Sequence, residues 1–220
     1  NYSFNNPSYV FPKIASNKAQ MEAIELGHPL LKTTGRIDND YKINVEEFFI
    51  ITGANMAGKS TFLRTVGLSL MMANNGLSVC AKSFSYTPVK LITSMRTTDS
   101  LSDNESYFFS ELKRLKIIID TIQVEDHFII LDEILKGTNS KDKAEGSQQF
   151  VQKLVKSKST GIIATHDLSL CDLSASLDEV KNYYFDAEIV DDELFFDYRL
   201  KNGICQNMNA SFLLRKMEIV

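Results

Sequence analysis

The sequence predicts an α/β fold, in which a mainly parallel sheet is covered by helices and carries antiparallel strands at an edge. Three apolar runs, FFIIT (48–52), HFIILDE (127–133) and TGIIATH (160–166), are typical of strands buried on both faces. Segments with helical spacing of apolar residues lie between these runs. When strands alternate with helices, each helix serves as the crossover connection between two strands that pair in parallel. This pattern therefore predicts a central parallel sheet.

The composition is that of an ordinary globular chain, whose 220 residues fit one large domain with small decorations. The net charge of −4 argues against a strongly basic nucleic-acid surface, and no apolar run is long enough to span a membrane. Cys80, Cys171 and Cys205 are far apart, which predicts reduced thiols in a cytoplasmic domain. The first residue is Asn1 rather than Met, so we expect a piece of a longer protein, with residues 1–20 as a lead-in.

The first half of the chain gives local signals for four elements. Early prolines punctuate a loop-rich opening, within which residues 21–26 form a predicted short strand. After the first apolar run, residues 59–74 predict a helix that stops at Asn75-Gly76. The segment LITSMR (91–96) is a further candidate strand.

The second half continues the alternation. Helical spacing predicts helices over residues 106–124 and 141–156. The segments YYFDAEI (183–189) and ELFFDYRL (193–200) flank an Asp-Asp pair, which predicts an antiparallel pair of strands. A short helix over residues 210–217 closes the chain.

The stretch GANMAGKST (53–61) fits the phosphate-binding pattern G-x-x-x-x-G-K-[ST]. Gly53 and Gly58 let the backbone curl so that its N–H groups point at phosphate oxygens, and the helix that follows adds its dipole. Lys59 places a charge on the β- and γ-phosphates, and Ser60 offers a hydroxyl to Mg²⁺. The predicted nucleotide-binding residues are Gly53, Ala54, Asn55, Met56, Ala57, Gly58, Lys59, Ser60 and Thr61.

Two later strands end in polar residues that complete a candidate site. FIILDE (128–133) carries Asp132 to the carboxyl edge of the sheet, where it is expected to hold Mg²⁺ through the metal's water shell. Glu133 follows and is placed to orient or deprotonate the attacking water. His166, after the next apolar run, is a candidate sensor of the γ-phosphate through a water. The alternatives are a solvated acidic turn for the two acids and a structural role for the histidine.

Several segments together resemble the MutS mismatch-repair ATPases. TGANMAGKSTFLRTVG is similar to their TGPNMGGKST loop, LDEILKGTNSKD to LDEIGRGTSTYDG, and ATHDLSL to ATHYHEL. SYFFSELKRL resembles STFMxEM, IELGHPLL resembles the GRHP element, and NGICQNMNASFLLRKMEI resembles the closing segment of the ATPase domain. The resemblance implies that residues 21–220 form a P-loop NTPase domain of the ABC type that binds ATP with Mg²⁺.

The chain also departs from the family pattern. Ala54 and Ala57 replace Pro and Gly within the loop, and Ser106-Tyr107 stands where Ser-Thr is usual. Residues 134–137, Ile-Leu-Lys-Gly, replace Ile-Gly-Arg-Gly. The sequence ends at Val220 without the helix-turn-helix extension of typical members, so it is most similar to the shorter MutS-like ATPases. That similarity allows a membrane-associated region upstream and a full-length protein attached to a membrane.

The family likeness further implies a composite site in a homodimer that forms through the ATPase face. Ser106 would reach, in trans, the γ-phosphate bound by the partner, and Asn139, Ser140 and Asp142 would lie near the dimer seam. Tyr198 falls where the family places an adenine-stacking ring, with hairpin packing as its alternative role. Arg36 or Ile37 would cover the other adenine face, and Asn55 would contact the nucleotide or Mg²⁺.

The leading hypothesis is therefore Mg²⁺-dependent ATP hydrolysis coupled to dimer closure and opening, in DNA mismatch repair or a related DNA-linked process. DNA would be contacted only through regions outside this chain. Two alternatives stay open from the sequence. One is a nucleotide-gated interaction module of a membrane-linked MutS-like protein without mismatch recognition, and the other is a protein that itself recognises mismatched or branched DNA.

Overall fold

The structure is a computed structural model that describes residues 2–16, 18–95, 107–190 and 193–206. Within these residues the helices are α1 (Tyr2–Asn5), α2 (Lys59–Asn74), α3 (Tyr107–Ile122) and α4 (Ser140–Lys156), and a 3-10 helix covers Leu168–Ala175. The strands are, in chain order, β1 (Lys13–Ile14), β2 (Ala19–Leu26), β3 (Asn39–Asn44), β4 (Phe48–Gly53), β5 (Ser83–Tyr86), β6 (Lys90–Ser94), β7 (His127–Asp132), β8 (Thr160–Ala164), β9 (Val180–Phe185), β10 (Glu188–Val190), β11 (Glu193–Phe195) and β12 (Leu200–Asn202). None of the described helices is long and apolar enough to cross a membrane.

The central sheet has the strand order β12-β9-β4-β8-β7-β6 among the described residues. Its strands pair in parallel from β9 to β6, and β12 adds an antiparallel edge against β9. This arrangement confirms the α/β class, the mainly parallel sheet and the antiparallel edge predicted from the sequence. The apolar runs of β4, β7 and β8 are fully buried along their whole length, as their continuous hydrophobicity predicts.

Helices cover both faces of this sheet. Phe49 and Ile51 of β4 point into a core that includes α2, whereas Phe48 and Ile50 point into a second core with α3, α4 and the 3-10 helix. The alternation follows from the period of two along a strand. Helix α2 ends as predicted at Asn75-Gly76, where Gly76 adopts a φ of +68° that favours glycine.

A second, four-stranded sheet with the order β1-β5-β2-β3 packs on the α2 side of the core. The sequence predicted only β2 of this sheet. Strands β3 and β5 each bury just two residues and carry several polar ones, so they give a weak periodic signal. Their buried members, Tyr41, Ile43, Phe84 and Tyr86, contribute to the core around α2.

The predicted antiparallel pairing of residues 183–189 with 193–200 is present in two parts. β10 and β11 do form an antiparallel pair, with Glu188 opposite Phe195. Phe185 of β9 is opposite Leu200 of β12 in the second antiparallel pair, and β9 also pairs in parallel with β4 inside the central sheet, which the sequence did not predict. Burial of Val180 and Phe185 against the core draws this segment into the sheet. The helix predicted over residues 210–217 lies outside the described residues.

Candidate functional site

The loop between β4 and α2 curls through positions that only some residues tolerate. Gly53 has a φ of +143°, and a Cβ added there would overlap the carbonyl oxygen of Phe185 in β9. Gly58 has a φ of +106° and caps the N-terminus of α2 without a side-chain hydrogen bond. Met56 also has a positive φ, of 67°. The two glycines therefore let the backbone approach the sheet closely and leave the amino end of α2 facing the loop.

The ammonium group of Lys59 lies inside this loop. Its Nζ donates hydrogen bonds to the carbonyl oxygens of Gly53 (2.7 Å) and Ala54 (2.8 Å), and the residue is buried. The same nitrogen is 3.4 Å from Nε2 of His166. Because a buried ammonium must be solvated by protein groups, these carbonyls hold the charge of Lys59 at the loop.

The carboxylate of Glu133 contacts two basic side chains. Its Oε1 lies 2.9 Å from Nε2 of His166, and its Oε2 lies 2.9 Å from Nζ of Lys136. Hydrogen bonding from His166 and Lys136 holds the pKa of the Glu133 carboxyl well below its ordinary value, although burial acts in the opposite direction. The backbone N–H of Glu133 donates to the carbonyl oxygen of Ala164 (2.9 Å), and the residue has a φ of +52°, which is uncommon for a residue with a side chain.

Asp132 is the last residue of β7 and is buried, with only 4% of its surface exposed. Its Oδ2 has no hydrogen-bond partner among the described residues. A buried carboxylate oxygen without a partner is costly unless a cation or water meets it. Carboxylate and hydroxyl oxygens, such as those of Asp132 and of Ser60 at the start of α2, are ligand types that a hard cation such as Mg²⁺ accepts.

A cavity of about 440 Å³ lies between the loop, Glu133 and His166. One wall is formed by residues 54–61, by Glu133 and by His166. Gly53 and Asp132 are not part of the wall. The opposite wall is formed by His28, Leu31, Arg36, Ile37, Asn39 and Tyr198, among others. The structure thus brings eight of the nine predicted loop residues, Glu133, His166 and Tyr198 to one cavity, whose volume suits a small organic ligand.

Tyr198 stands over the phosphate loop with a φ of +52°. A Cβ added at Gly58 would lie 3.2 Å from its ring, and the ring stacks on Phe196 with centroids 5.9 Å apart. Asn39 fixes this turn, because its amide donates to the carbonyl of Tyr198 (3.0 Å) and accepts from the N–H of Leu200 (2.7 Å). Tyr198, 43% exposed, therefore lines the cavity in a turn that the Asn39 side chain holds through the backbone.

Comparison with known proteins assigns this chain to a family. The family model described as MutS domain V matches residues 49–215. The chain belongs to the MutS domain V family. It is 31% identical over 199 residues to human MutS protein homolog 4. The aligned residues cover 85% of this chain and 21% of the human protein. This chain is 34% identical over 181 residues to the DNA mismatch repair protein MutS of Aquifex pyrophilus, covering 80% of this chain and 21% of the relative.

A third relative, the DNA mismatch repair protein MutS of Methanococcoides burtonii, is 32% identical over 207 residues, which cover 90% of this chain and 23% of that protein. The chain thus spans between a fifth and a quarter of the length of these relatives. In this MutS domain V, Ser106 lies outside the described residues. Asn139 caps the N-terminus of α4, where it accepts a hydrogen bond from the N–H of Asp142 (3.0 Å), and Ser140 begins that helix.

Sequence reasoning missed several residues of this MutS domain V site. Lys136 was visible only as a replacement for Arg, although its spacing of three from Glu133 permits the observed ion pair. Asn39 and Phe185, which fix Tyr198 and Gly53, gave no local signal. Glu111 of α3 accepts hydrogen bonds from the loop after Glu133, across 24 residues of sequence, and no spacing rule predicts such a contact.

Proposed function

We propose that this chain is a Mg²⁺-dependent ATPase domain of the P-loop NTPase type, with ABC-type architecture, whose hydrolysis is coupled to closure and opening of a homodimer. One observation carries the proposal. His166 lies 2.9 Å from the carboxylate of Glu133 and 3.4 Å from the ammonium of Lys59, at the wall of a cavity bordered by the phosphate loop. A phosphate-binding cation and a water-orienting carboxylate therefore share one cavity.

The loop and α2 supply the binding half of the proposed reaction. Backbone N–H groups of residues 54–60 and the amino end of α2 would surround the phosphates, and Lys59 would neutralise charge on the β- and γ-phosphates. Ser60 and Asp132 would hold Mg²⁺, which supplies further neutralisation of phosphate charge. The preference for ATP over GTP follows the family resemblance, with Tyr198 as the stacking ring.

Glu133 and His166 supply the hydrolytic half. An ionised Glu133 accepts a hydrogen bond from the attacking water and orients it in line with the γ-phosphate. Its lowered pKa makes it a weak proton acceptor, so orientation is the larger part of its proposed role. His166 would report the γ-phosphate through a water and hold the Glu133 carboxylate at the cavity wall.

The dimer and the biological process come from the family. Ser106 of one protomer would complete the site of the other, which couples hydrolysis to the pairing of two domains. The relatives named as mismatch repair proteins support a role in DNA mismatch repair or a related DNA-linked process. DNA contact would use regions outside this chain, because the chain carries a net charge of −4.

The deciding experiment measures the ATPase rate against protein concentration with Mg²⁺, alongside light scattering with and without ATP. We expect the specific rate to rise with concentration together with ATP-dependent dimers. A constant specific rate from monomers would show a self-contained site and remove the trans role of Ser106. Absence of hydrolysis in a single-turnover assay, with nucleotide still bound, would favour the nucleotide-gated interaction module.

A further inference from the structure

Glu111 on α3 holds the backbone of the segment that follows the candidate catalytic acid. Its Oε1 accepts the N–H of Leu135 (2.8 Å), and its Oε2 accepts the N–H of Lys136 (3.1 Å). Two consecutive N–H groups thus converge on one carboxylate, as in the backbone concavities that bind anions. Burial raises the pKa of Glu111, and the two amide hydrogen bonds oppose this shift.

The segment held in this way has an unfavourable backbone conformation. Glu133 has a φ of +52° and Leu135 a φ of +57°, which are uncommon values for residues with a side chain. Such conformations persist only where the surroundings fix them, and each costs on the order of 1–3 kcal/mol. The family pattern has glycine where Leu135 stands, so this chain depends more strongly on outside contacts to hold the turn.

Two packing contacts support the same segment. A Cβ added at Gly137 would lie 2.7 Å from Cβ of Phe108 on α3, so the helix packs directly on the backbone there. The buried side chain of Leu135 lies against Gly146 of α4, where an added Cβ would come within 2.8 Å of its Cδ1. The turn from Glu133 to Gly137 is therefore clamped between α3 and α4, with Glu111 supplying the hydrogen bonds.

We propose that Glu111 is a positioning residue that fixes the turn after Glu133 and thereby joins α3 to the water-orienting carboxylate. The inference rests on the proposed ATPase function. Because Glu111 lies in the first turns of α3, its carboxylate connects this helix directly to the backbone N–H groups of Leu135 and Lys136.

The test uses Glu111→Gln, which keeps one acceptor oxygen, and Glu111→Met, which keeps the approximate size and removes both. Asp120→Asn is the matched control, because Asp120 lies on the same helix but pairs only with exposed Lys116 among the contacts described. Steady-state hydrolysis, binding of a fluorescent ATP analogue, thermal unfolding and amide hydrogen exchange of Leu135 and Lys136 are measured for each protein.

We expect kcat to fall on the order of 10- to 100-fold in the Glu111 variants, more for Met than for Gln, because misplacement of a positioned group lowers the rate. Nucleotide affinity and KM stay within about threefold, since the phosphate loop is untouched. Exchange of the two amides rises roughly tenfold, as expected when one hydrogen bond is lost. Asp120→Asn behaves like the wild-type protein.

Unchanged kcat in Glu111→Gln and Glu111→Met overturns the proposal. A loss of nucleotide affinity and of thermal stability that accompanies the fall in kcat also overturns it, because it would mark a purely structural residue. Lack of hydrolysis by the wild-type protein overturns the proposed function instead. In that case exchange at Leu135 and Lys136 decides the positioning role alone, and protection unaffected by Glu111→Met rejects it.

Discussion

The Nε2 atom of His166 and the Oε1 atom of Glu133 lie 2.9 Å apart, although 33 residues separate them in sequence. The pairing of β7 with β8 brings them together, because Asp132 is opposite Ala164 in the parallel register. Glu133 follows the end of one strand by one residue and His166 follows the other by two. Adjacent parallel strands therefore deliver an acid and an imidazole to the same edge of the sheet.

Replacing Glu133 by glutamine removes the carboxylate and keeps the size of the side chain. We expect Glu133→Gln to bind ATP with little change and to lose kcat by about 10²- to 10⁴-fold, the range for a general base or a group that orients the nucleophile. Single-turnover hydrolysis and equilibrium binding measure the two effects separately. Glu188→Gln, an exposed change on β10, serves as the control. Normal turnover by Glu133→Gln would remove this residue from the mechanism.

The lowered pKa of Glu133 has a defined consequence for stability. Its ordinary value is 4.5, and the folded protein holds it well below that value, so the unfolded chain binds the proton more readily. The stabilisation is fully present above pH 4.5 and is lost as the pH falls toward the folded pKa. The difference in the free energy of unfolding between wild type and Glu133→Gln, measured with urea, should become smaller as the pH falls below 4.5. A difference that does not shrink in acid would refute the contacts of the ionised Glu133 carboxylate with His166 and Lys136 as its source.

Lys59→Met tests the phosphate contact. Removing the ammonium should weaken nucleotide binding by about 2 kcal/mol, roughly 30-fold, because hydrogen bonds from a charged donor to phosphate are lost. Titration calorimetry or a fluorescent analogue gives the affinity. Lys181→Met removes an exposed lysine from β9 and should leave binding unchanged. Equal affinities for wild type and Lys59→Met would exclude this residue from phosphate binding.

Substitutions of Tyr198 distinguish a base-stacking role of its ring from a packing role. Tyr198→Ala should lower ATP affinity by about 1–3 kcal/mol if the ring stacks on the base, and Tyr198→Phe should retain the affinity because the aromatic face remains. Binding and thermal unfolding are measured in parallel. Lower stability of Tyr198→Ala with unchanged affinity would favour the alternative, a residue that packs the turn beside Phe196.

Gly53→Ala tests the close approach of the phosphate loop to β9. The added methyl group would overlap the carbonyl of Phe185 at a φ of +143°, so we expect a loss of about 3 kcal/mol in the free energy of unfolding. Gly76→Ala is the matched control, because Gly76 also has a positive φ but no atom within 4 Å of the added carbon. Gly76→Ala should lower the free energy of unfolding by about 1 kcal/mol. Equal losses at both positions would mean that the overlap with Phe185 relaxes without cost.

The central sheet was predictable because three of its strands are continuous apolar runs that can be recognised from the local sequence. The runs at 48–52, 127–133 and 160–166 became β4, β7 and β8, and α2 has the predicted limits of residues 59–74. Strands β3 and β5 were missed, since two buried residues in a short polar segment do not distinguish a strand from a loop. The antiparallel pairing of Phe185 with Leu200 agrees with the prediction, but the parallel pairing of β9 with β4 was not predicted, because a local pattern does not show which distant strand lies beside it.

The sequence by itself determined the glycine-framed loop before α2, the acidic end of β7 and membership of the MutS family, because each depends on residue types at fixed local spacing. Only the tertiary structure decided which groups meet. Lys59 and His166 are 107 residues apart, and Glu111 and Leu135 are 24 apart, yet both pairs are in contact. Such contacts arise from strand register and helix packing, which are set by burial of the whole core rather than by any short segment.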